Sequence, residues 1–388
     1  GRSVAVALSL AALNVGCAAG EAREDLGVAR ERTISNRGEV GVWGGVEPSV
    51  GWTAAPAATC KNGYATVVGF THGDVAAWAS NCTGSWVEKS SVTESWPLIA
   101  DGFGNTATNY GSDVTVFGIP GHPGQIAYVV MMRTVLTGTT TTSKDDGVIV
   151  ISNDGGETFG TPVLINTGTD AGVDRPVAVA DPGATEGTIY IAWEDTTATA
   201  VEFRRATVAT DGTVTLSVAN EVNTPVLAAG NFTMPVEHGA TNTVDFAFAD
   251  HPMLHGVCSL FENQTVSWYL GSTSDDGLSW SFGSDPFDSS DIPGCAKAET
   301  SSGYRISYRP ELAFNQDLGT LHVAYSKVGA HGNVAAIVRS FGGSGSGVEV
   351  DTKNTGDDQF RVSFATTPAG AGRPASASRT TLAMRPGT

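Results

Sequence analysis

Two short segments of this chain follow one spacing rule: a hydroxyl residue, an aspartate, a glycine, a second hydroxyl residue and an aromatic residue. The first segment is Ser152-x-Asp154-x-Gly156-x-Thr158-Phe159, and the second is Thr273-x-Asp275-x-Gly277-x-Ser279-Trp280. The aspartate carboxylate can accept hydrogen bonds from backbone N–H groups of its own turn, and the glycine tolerates the positive φ of a tight hairpin. The spacing therefore predicts two hairpin turns, each held against neighbouring sheet by its aromatic residue.

Each of these segments follows an apolar run that is typical of a β-strand, 147–151 before the first and 266–270 before the second. The two segments resemble Asp-boxes, the hairpin turns of the sialidase-like (bacterial neuraminidase repeat) β-propeller superfamily. The resemblance implies an all-β propeller fold. Because the Asp-box of that superfamily is a structural turn, the resemblance does not imply catalysis.

A second pattern recurs along the chain: an apolar strand, a turn and a glycine-led strand that ends in an aromatic residue. The clearest copies pair 175–181 with 187–193, 309–315 with 319–325, and 113–117 with 124–130, with fainter single strands at 63–70 and 242–248. The leading residues at 63, 124, 187, 242 and 319 give a mean period of about 64 residues, which fits four-stranded propeller blades. With six as the number usual for sialidase-like propellers, we expect a six-bladed β-propeller over roughly residues 41–388.

The repeat pattern breaks off within the sixth blade of this propeller. Its first strand is expected at 359–365, after which the pattern gives way to a basic, low-complexity tail at 373–386. Two explanations stay open: the last blade is incomplete because the chain is truncated or frame-shifted, or an N-terminal strand around 41–50 closes the ring. An unclosed ring would expose strand edges and favour aggregation.

The N-terminal segment is predicted to direct export. Residues 3–13 form an apolar run that is too short to span a bilayer and has the length of a signal-peptide core, so 1–17 is expected to be a signal peptide. The run ends in a segment that resembles a bacterial lipobox, although Asn14 stands where leucine is usual, three residues before Cys17. Lipid anchoring at Cys17 in the bacterial cell envelope and ordinary secretion remain alternatives. Residues 18–40 are expected to form a flexible tether.

Cysteine usage and charge agree with export. Four further cysteines suggest two disulfides, and proximity favours the pairs Cys60–Cys82 and Cys258–Cys295 over buried free thiols. The formal net charge of −18 argues against nucleic acid and anionic membrane surfaces as partners, so membrane contact is expected only through a lipid anchor. Abundant glycine (48 residues) and only 16% charged residues are typical of an all-β protein with many turns.

Arg175 and Arg309 are the candidate ligand-binding residues. Each stands directly before a proline that opens a predicted first strand, so the two occupy equivalent positions on one face of the ring. Two guanidinium groups at one rim can hold a carboxylate by paired hydrogen bonds. Sialidases clamp the carboxylate of their sugar with three arginines, one of them in an Arg-Ile-Pro motif that 308–310 resembles with one residue missing. The alternative is a blade-to-blade ion pair or a solvated rim residue, and candidates for a third arginine are Arg133, Arg305 and Arg339.

No complete catalytic set can be identified from the sequence. A retaining sialidase also needs a tyrosine nucleophile with a neighbouring glutamate, and an acid/base aspartate. The available residues are Tyr304, Tyr308, Tyr325, Glu194, Asp195, Asp250 and Glu311, and no spacing singles out any of them. No zinc motif and no calcium loop is present, so we expect no metal and no cofactor. The tryptophans of the first hundred residues either stack on sugar rings or, as is commoner, fill the space between blades.

These observations favour an exported propeller that binds glycan or protein without catalysis. The partner is then a carbohydrate or a cell-surface or secreted protein. The alternative is an exo-glycosidase of the sialidase type that cleaves terminal acidic sugars with an arginine clamp. A structural scaffold without a small ligand is a third possibility.

Overall fold

A computed structural model describes much of the chain from residue 45 onward. The described ranges are 45–56, 58–72, 75–89, 106–137, 142–166, 172–181, 187–195, 200–217, 220–222, 232–237, 244–249, 253–254, 265–273, 281–282, 285–291, 306–307, 310–315, 320–328, 334–341, 348–349, 363–365 and 378–380. The predicted signal peptide with Cys17, the tether, Cys258, Cys295, Arg309 and the second turn from 274 to 280 lie outside these ranges. Among the described residues, no helix is long and apolar enough to cross a membrane.

Five antiparallel sheets follow one another along the chain. Sheet 1 consists of β1 (Gly45–Ala54), β2 (Tyr64–His72), β3 (Val75–Ser80) and β4 (Val87–Lys89). Sheet 2 consists of β5 (Thr106–Gly118), β6 (Ile126–Thr137), β7 (Thr142–Ser152) and β8 (Val163–Leu164). Sheet 3 consists of β9 (Val173–Ala180), β10 (Thr188–Asp195), β11 (Ala200–Val208) and β12 (Val214–Leu216), with β13 (Asn220–Val222) also paired to β11.

The remaining strands form two further large sheets and two short pairs. Sheet 4 contains β14 (Phe232–Glu237) and β15 (Val244–Ala249), and after β16 (Met253–Leu254) it continues with β17 (Thr265–Thr273), β18 (Ser281–Phe282) and β19 (Asp288–Asp291). β16 itself pairs with β20 (Ile306–Ser307). Sheet 5 consists of β21 (Glu311–Asn315), β22 (Thr320–Val328), β23 (Val334–Phe341) and β24 (Val348–Glu349). Last comes the short sheet of β25 (Ser363–Ala365) and β26 (Ser378–Thr380).

Each large sheet is a meander in which the first four strands of the sheet pair in sequence order. The predicted strand pairs are the first and second strands of sheets 2, 3 and 5, and the two fainter strands are the second strands of sheets 1 and 4. The first strands touch in series: β1 contacts β5, β5 contacts β9, β9 contacts β14, β14 contacts β21, and β21 contacts β25. The described part of the protein is therefore all-β, as predicted, and the first strands of successive sheets lie next to one another.

Apolar side chains from facing sheets fill the spaces between sheets. Sheets 1 and 2 share a core that includes Val67, Trp78 and Tyr128, and sheets 2 and 3 share one that includes Ile149 and Trp193. A third core joins sheets 3, 4 and 5 around buried aromatic side chains, among them Tyr190, Trp268 and Tyr325. Because successive strand residues point to opposite faces, each central sheet buries apolar side chains on both faces.

Sheet 1 differs from the others on one face. Gly51 and its register partner Val67 face sheet 2, so the neighbouring residues Val50 and Trp52 point the other way. Val50 is 44% exposed and Trp52 is 65% exposed. The expectation that tryptophans fill spaces between blades therefore holds for Trp78 and not for Trp52. Residues 45–50 of the N-terminal segment belong to β1, which pairs with β2 in sheet 1.

The turn between β7 and β8 is held closed by its aspartate. Asp154 Oδ1 accepts hydrogen bonds from Ser152 Oγ and the Thr158 backbone N–H, both at 2.8 Å, and Asp154 Oδ2 accepts one from Thr158 Oγ1 at 2.6 Å. Ser152 Oγ in turn accepts a bond from the Gly156 N–H at 2.8 Å. One carboxylate thus fixes both ends of a turn that is only partly shielded from solvent. We call residues 152–159 the Asp154 turn.

This turn packs against sheet 1. Trp78 Nε1 donates a hydrogen bond to Gly156 O at 2.8 Å, and Ser80 Oγ donates one to Gly155 O at 3.1 Å. The ring of Phe159 contacts that of Trp78 edge to face, with 5.0 Å between centroids. The turn that ends the third strand of sheet 2 therefore holds sheets 1 and 2 together.

The structure contains a Cys60–Cys82 disulfide directly beneath the Asp154 turn. Both cysteines are fully buried, and a Cβ atom on Gly155 would lie 2.7 Å from Cys60 Sγ. The disulfide joins the loop before β2 to the loop after β3, so it fixes the surface on which the turn rests. A cross-link that closes a loop of this size typically adds about 3 kcal/mol of stability.

We expect Gly156→Ala to lower the free energy of unfolding by about 2–4 kcal/mol. Gly156 has a φ of +86°, and a Cβ atom there would lie 2.2 Å from Val67 Cγ2. Gly160→Ala is the matched control, since its Cβ would meet no described atom closer than Ile151 O at 3.4 Å. Denaturant titrations of the three proteins measure the difference. If Gly156→Ala and Gly160→Ala lowered the free energy of unfolding equally, the close packing of the Asp154 turn against sheet 1 would be contradicted.

Candidate functional site

Charged side chains lie toward the edge of the sheets at which the first strands begin, although β5 extends beyond Asp113 at this edge. Because neighbouring strands are antiparallel, second strands end and third strands begin at this same edge, which we call the entry edge. The Asp154 turn follows a third strand and therefore lies at the opposite edge. Ion pairs at the entry edge join Arg175 to Asp113 and Asp174, and Lys327 to Asp288. The entry edge thus contains ion pairs, whereas the opposite edge contains the hydrogen-bonded Asp154 turn.

Asp113 and Arg175 lie at matching irregularities in two adjacent first strands. The pairing of β5 with β6 shifts between Ser112 and Thr115, and the pairing of β9 with β10 shifts opposite Ala192 and Glu194. Asp113 has a φ of +51° and Arg175 has a φ of +50°. Such left-handed backbone costs a non-glycine residue about 1–2 kcal/mol. A bulge re-aims the side chain it carries, and here two bulges turn opposite charges toward each other.

Arg175 lies between two carboxylates. Its Nε is 3.9 Å from Asp113 Oδ1 on sheet 2 and 3.9 Å from Asp174 Oδ1 on its own strand. The side chains of Arg175, Asp113 and Asp174 are 11%, 14% and 32% exposed. The contact with Asp113 is an ion pair between sheets 2 and 3. We call these three residues the Arg175 group.

The sequence contained one signal for Asp113. It is the first residue of the repeat copy at 113–117, as Arg175 and Arg309 are the first residues of their copies. The same position in sheet 1 is Glu47, where the pairing of β1 with β2 also shifts, between Val46 and Ser49. Asp113 and Arg175 therefore take equivalent positions in adjacent sheets, which favours a contact between them.

The other candidate residues are scattered. Asp195 is buried at the end of β10, Glu311 is half-buried at the start of β21, and Glu194 lies opposite Asp174 in the β9–β10 register. Arg133 lies near the end of β6, opposite Asp145 of β7. The ion pairs of Arg175 described above are thus with acids. Four more candidates lie outside the described residues: Tyr304, Arg305, Tyr308 and Asp250.

Tyr325 serves the interface between sheets 4 and 5. It is buried, its hydroxyl donates a hydrogen bond to Asp288 Oδ2, and its ring packs 4.7 Å from that of Trp268. Burial, together with the carboxylate of Asp288, raises the pKa of Tyr325. A tyrosine nucleophile needs access to substrate and an easily ionised hydroxyl, and Tyr325 has neither.

Arg339 and Asp288 complete that interface. The guanidinium of Arg339 donates to Phe287 O and lies 5.8 Å from the Phe287 ring centre and 5.3 Å from that of Phe341. Asp288 also accepts a hydrogen bond from Lys327 Nζ at 2.8 Å. Burial acts to raise the pKa of Asp288, but hydrogen bonds from Lys327 and Tyr325 outweigh it and hold the pKa below its usual range. Arg339 is thus tied to aromatic packing and not to the Arg175 group.

Asp245 has an unusual pKa without belonging to this site. It is buried in β15, opposite Val236 and Ser272, and burial raises its pKa to about 7. In the part of the chain that the structure describes, no group of three or more His, Cys, Asp or Glu side chains could hold a metal ion.

No family model matches the chain, and no curated protein matches it in sequence. Similar solved structures include a xylan β-1,4-xylosidase from Bacillus halodurans C-125, with 11% identity, a TM-score of 0.41, and coverage of 81% of this chain and 57% of that one. An α-L-arabinanase from Penicillium chrysogenum has 15% identity, a TM-score of 0.42, and coverage of 79% and 85%. One from Cellvibrio cellulosa has 10% identity, a TM-score of 0.37, and coverage of 80% and 98%.

These TM-scores lie below 0.5, so the likenesses carry no argument about fold or function. None of the three structures is described as a sialidase. Membership of the sialidase-like superfamily stays a prediction from the two turn segments.

We expect Arg175→Gly to be more stable than Arg175→Ala by about 1 kcal/mol. Both variants lose the guanidinium, but glycine accepts the left-handed backbone without strain. The matched control is Thr215, an exposed residue in β12 that is not among those with positive φ. There the order reverses, because glycine in a strand is less stable than alanine by about 0.5–1 kcal/mol. Thermal and denaturant unfolding measure the stability difference between the glycine and alanine variants at each site. If alanine were the more stable residue at both sites, Arg175 would not have a strained backbone.

Proposed function

We propose that this protein is an exported β-propeller that binds carbohydrate at its entry edge without hydrolysing it. The observation that carries the proposal is the Arg175 group, in which residues of two adjacent first strands present a guanidinium and two carboxylates. Such groups donate to and accept from sugar hydroxyls. At the opposite edge, the polar groups of the Asp154 turn are used for internal packing.

The absence of catalysis is supported by the roles of the candidate residues. Tyr325 is buried in a sheet interface, and Arg175 already faces two carboxylates. Export is supported by the Cys60–Cys82 disulfide, since disulfides persist mainly in oxidising compartments. Whether the chain is anchored through Cys17 or secreted remains part of the proposal and depends on residues outside the described ranges.

We further propose six sheets in the ring, with residues 359–388 supplying the last. Each of sheets 2 to 5 packs one face on the sheet before it, whereas the equivalent face of sheet 1 carries the exposed Val50 and Trp52. β25 continues the series of first strands beyond β21. The segment around the short sheet is therefore the natural cover for Val50 and Trp52, because it follows sheet 5 and precedes sheet 1 in a closed ring.

Trp52→Asp tests this closure. We expect a loss of about 2–3 kcal/mol in the free energy of unfolding, because a charge would enter an apolar interface, while the protein stays monomeric. Val87→Asp is the control: Val87 is 37% exposed and pairs with Ser80, on the face toward sheet 2. Denaturant titration measures the free energy of unfolding, and light scattering measures the oligomeric state. A dimer that Trp52→Asp converts to monomer would show instead that this face holds a second copy.

The function itself is tested by glycan binding and by turnover. We expect the purified protein to bind members of a glycan array and to release them unchanged, and Arg175→Ala to weaken that binding at least tenfold while the CD spectrum stays β-rich. Release of fluorophore from a sialoside substrate, lost in Arg309→Ala, would overturn the non-catalytic proposal in favour of the sialidase-type exo-glycosidase. A folded protein that neither binds nor cleaves would leave a scaffold role.

A further inference from the structure

The Cys60–Cys82 disulfide is in direct contact with the backbone of the Asp154 turn. A Cβ atom on Gly155 would lie 2.7 Å from Cys60 Sγ and 3.1 Å from Cys82 Sγ. Cys82 Sγ also lies 3.6 Å from Asp154 O. Both cysteines are fully buried, and Ala65 packs beside them. The backbone of the turn therefore covers the two sulfur atoms and leaves no space between them for even a methyl group.

The two cysteines are held in place by hydrogen bonds within sheet 1. The Lys61 N–H donates to Cys82 O at 2.9 Å, which joins the loop before β2 to the loop after β3. The Cys82 N–H donates to Ser80 Oγ at 3.3 Å, and the same hydroxyl donates to Gly155 O at 3.1 Å. A movement of Cys82 therefore acts on the turn through this hydroxyl as well as through the sulfur atoms.

We propose that the Asp154 turn docks stably on sheet 1 only while Cys60 and Cys82 are joined, so that the contact between sheets 1 and 2 is redox-dependent. Reduction leaves two thiols, whose sulfur atoms must separate from bonding distance to van der Waals distance. Protein interiors are closely packed, and both cysteine loops are held by sheet 1. The added space therefore has to come from a displacement of the turn.

The covalent step is a thiol–disulfide exchange with an external dithiol. One thiolate of the dithiol attacks a sulfur atom of the Cys60–Cys82 bond, this bond breaks, and the released cysteine thiolate takes up a proton. The second thiolate of the reagent then attacks the mixed disulfide, releases the other cysteine as a thiol and closes the disulfide of the reagent. Two electrons and two protons thus pass from the reagent to the cysteine pair.

Docking of the turn and oxidation of the cysteines favour each other by thermodynamic linkage. If the turn docks more tightly on the oxidised pair by some factor, docking favours the oxidised pair by the same factor. A factor of about ten corresponds to about 30 mV in the reduction potential of the pair. The docked turn also covers the buried sulfur atoms, so a reagent reaches them after the turn has moved away. In a reducing compartment the turn therefore stays undocked, and it docks after oxidation.

The first test follows the indole proton of Trp78, since Trp78 Nε1 donates to Gly156 O in the docked turn. NMR of the purified protein measures its exchange with solvent before and after treatment with dithiothreitol, and Trp78→Phe identifies the signal. We expect exchange to become about tenfold faster or more on reduction, because undocking breaks the bonds to the turn carbonyls and the ring contact with Phe159. The amide protons of β11 in sheet 3 should keep their protection.

Cys60→Ala/Cys82→Ala is the matched variant. Like the reduced protein it lacks the cross-link, but it also lacks the two sulfur atoms that lie against Gly155. We therefore expect its turn to stay docked, with indole exchange close to that of the oxidised parent. The same dithiothreitol treatment of this variant measures any effect that comes from Cys258 and Cys295. Equal undocking in the reduced parent and in this variant would overturn the inference, because the lost loop closure alone would then explain the effect.

The reciprocal test measures how fast the disulfide is reduced. Gly155→Ala places a methyl group against the sulfur atoms, whereas Gly160→Ala adds one whose nearest described atom is Ile151 O at 3.4 Å. In dithiothreitol without denaturant, we expect the Cys60–Cys82 bond to be reduced about tenfold faster or more in Gly155→Ala than in Gly160→Ala. Alkylation followed by peptide mass spectrometry measures this pair separately from the other cysteines.

Three further results would overturn the inference. The first is unchanged indole exchange of Trp78 in the reduced parent, and the second is equal reduction rates in the two glycine variants. The third is a loss of protection throughout β11 on reduction, which would show that the disulfide supports the whole fold and not one contact. If Gly155→Ala does not fold, the comparison of the reduced parent with Cys60→Ala/Cys82→Ala decides.

Discussion

The contact between the Asp154 turn and sheet 1 is the constraint on which the first half of the fold depends. Each sheet is a local meander, so strand pairing alone cannot hold one sheet beside the next. Here the aspartate closes the turn, two glycines bring its backbone against Val67 and the buried cysteines, and Trp78 and Ser80 bind its carbonyls. Because backbone carbonyls are bound directly, the relative position of sheets 1 and 2 is set by geometry as well as by apolar burial.

The entry edge shows the opposite use of backbone conformation. At the Asp154 turn, positive φ falls on glycine and carries no strain, whereas at the entry edge it falls on Asp113 and Arg175. The strain is maintained by the packing on both sides of these strands. The two edges of the sheets therefore differ. At the edge of the Asp154 turn, polar groups hold sheets 1 and 2 together. At the entry edge, charged side chains lie partly exposed between adjacent first strands.

The sequence predicted the strands well because alternation and glycine-led turns are local signals. The pairs at 175–181 with 187–193 and at 309–315 with 319–325 coincide with β9–β10 and β21–β22. For the partner of Arg175 the sequence held only the equivalence of Asp113 and Arg175 in the repeat. Their contact depends on two register shifts in different sheets, and a one-residue shift leaves no local mark. The exposure of Trp52 was missed for a related reason: whether a tryptophan is covered depends on which sheet faces it, and sequence composition does not record that.

Tyr325 shows why residue type alone is a poor guide to a catalytic site in a repeated fold. It occupies the same repeat position as Trp193, and both are buried aromatic residues against the preceding sheet. An aromatic residue that is buried in the same way in two sheets is needed for packing between sheets, and its presence does not indicate catalysis. Arg175 breaks this rule, because its counterpart on sheet 2 is an acid. Function in such a fold is therefore best sought where equivalent positions carry different charges, which is at the entry edge of sheets 2 and 3.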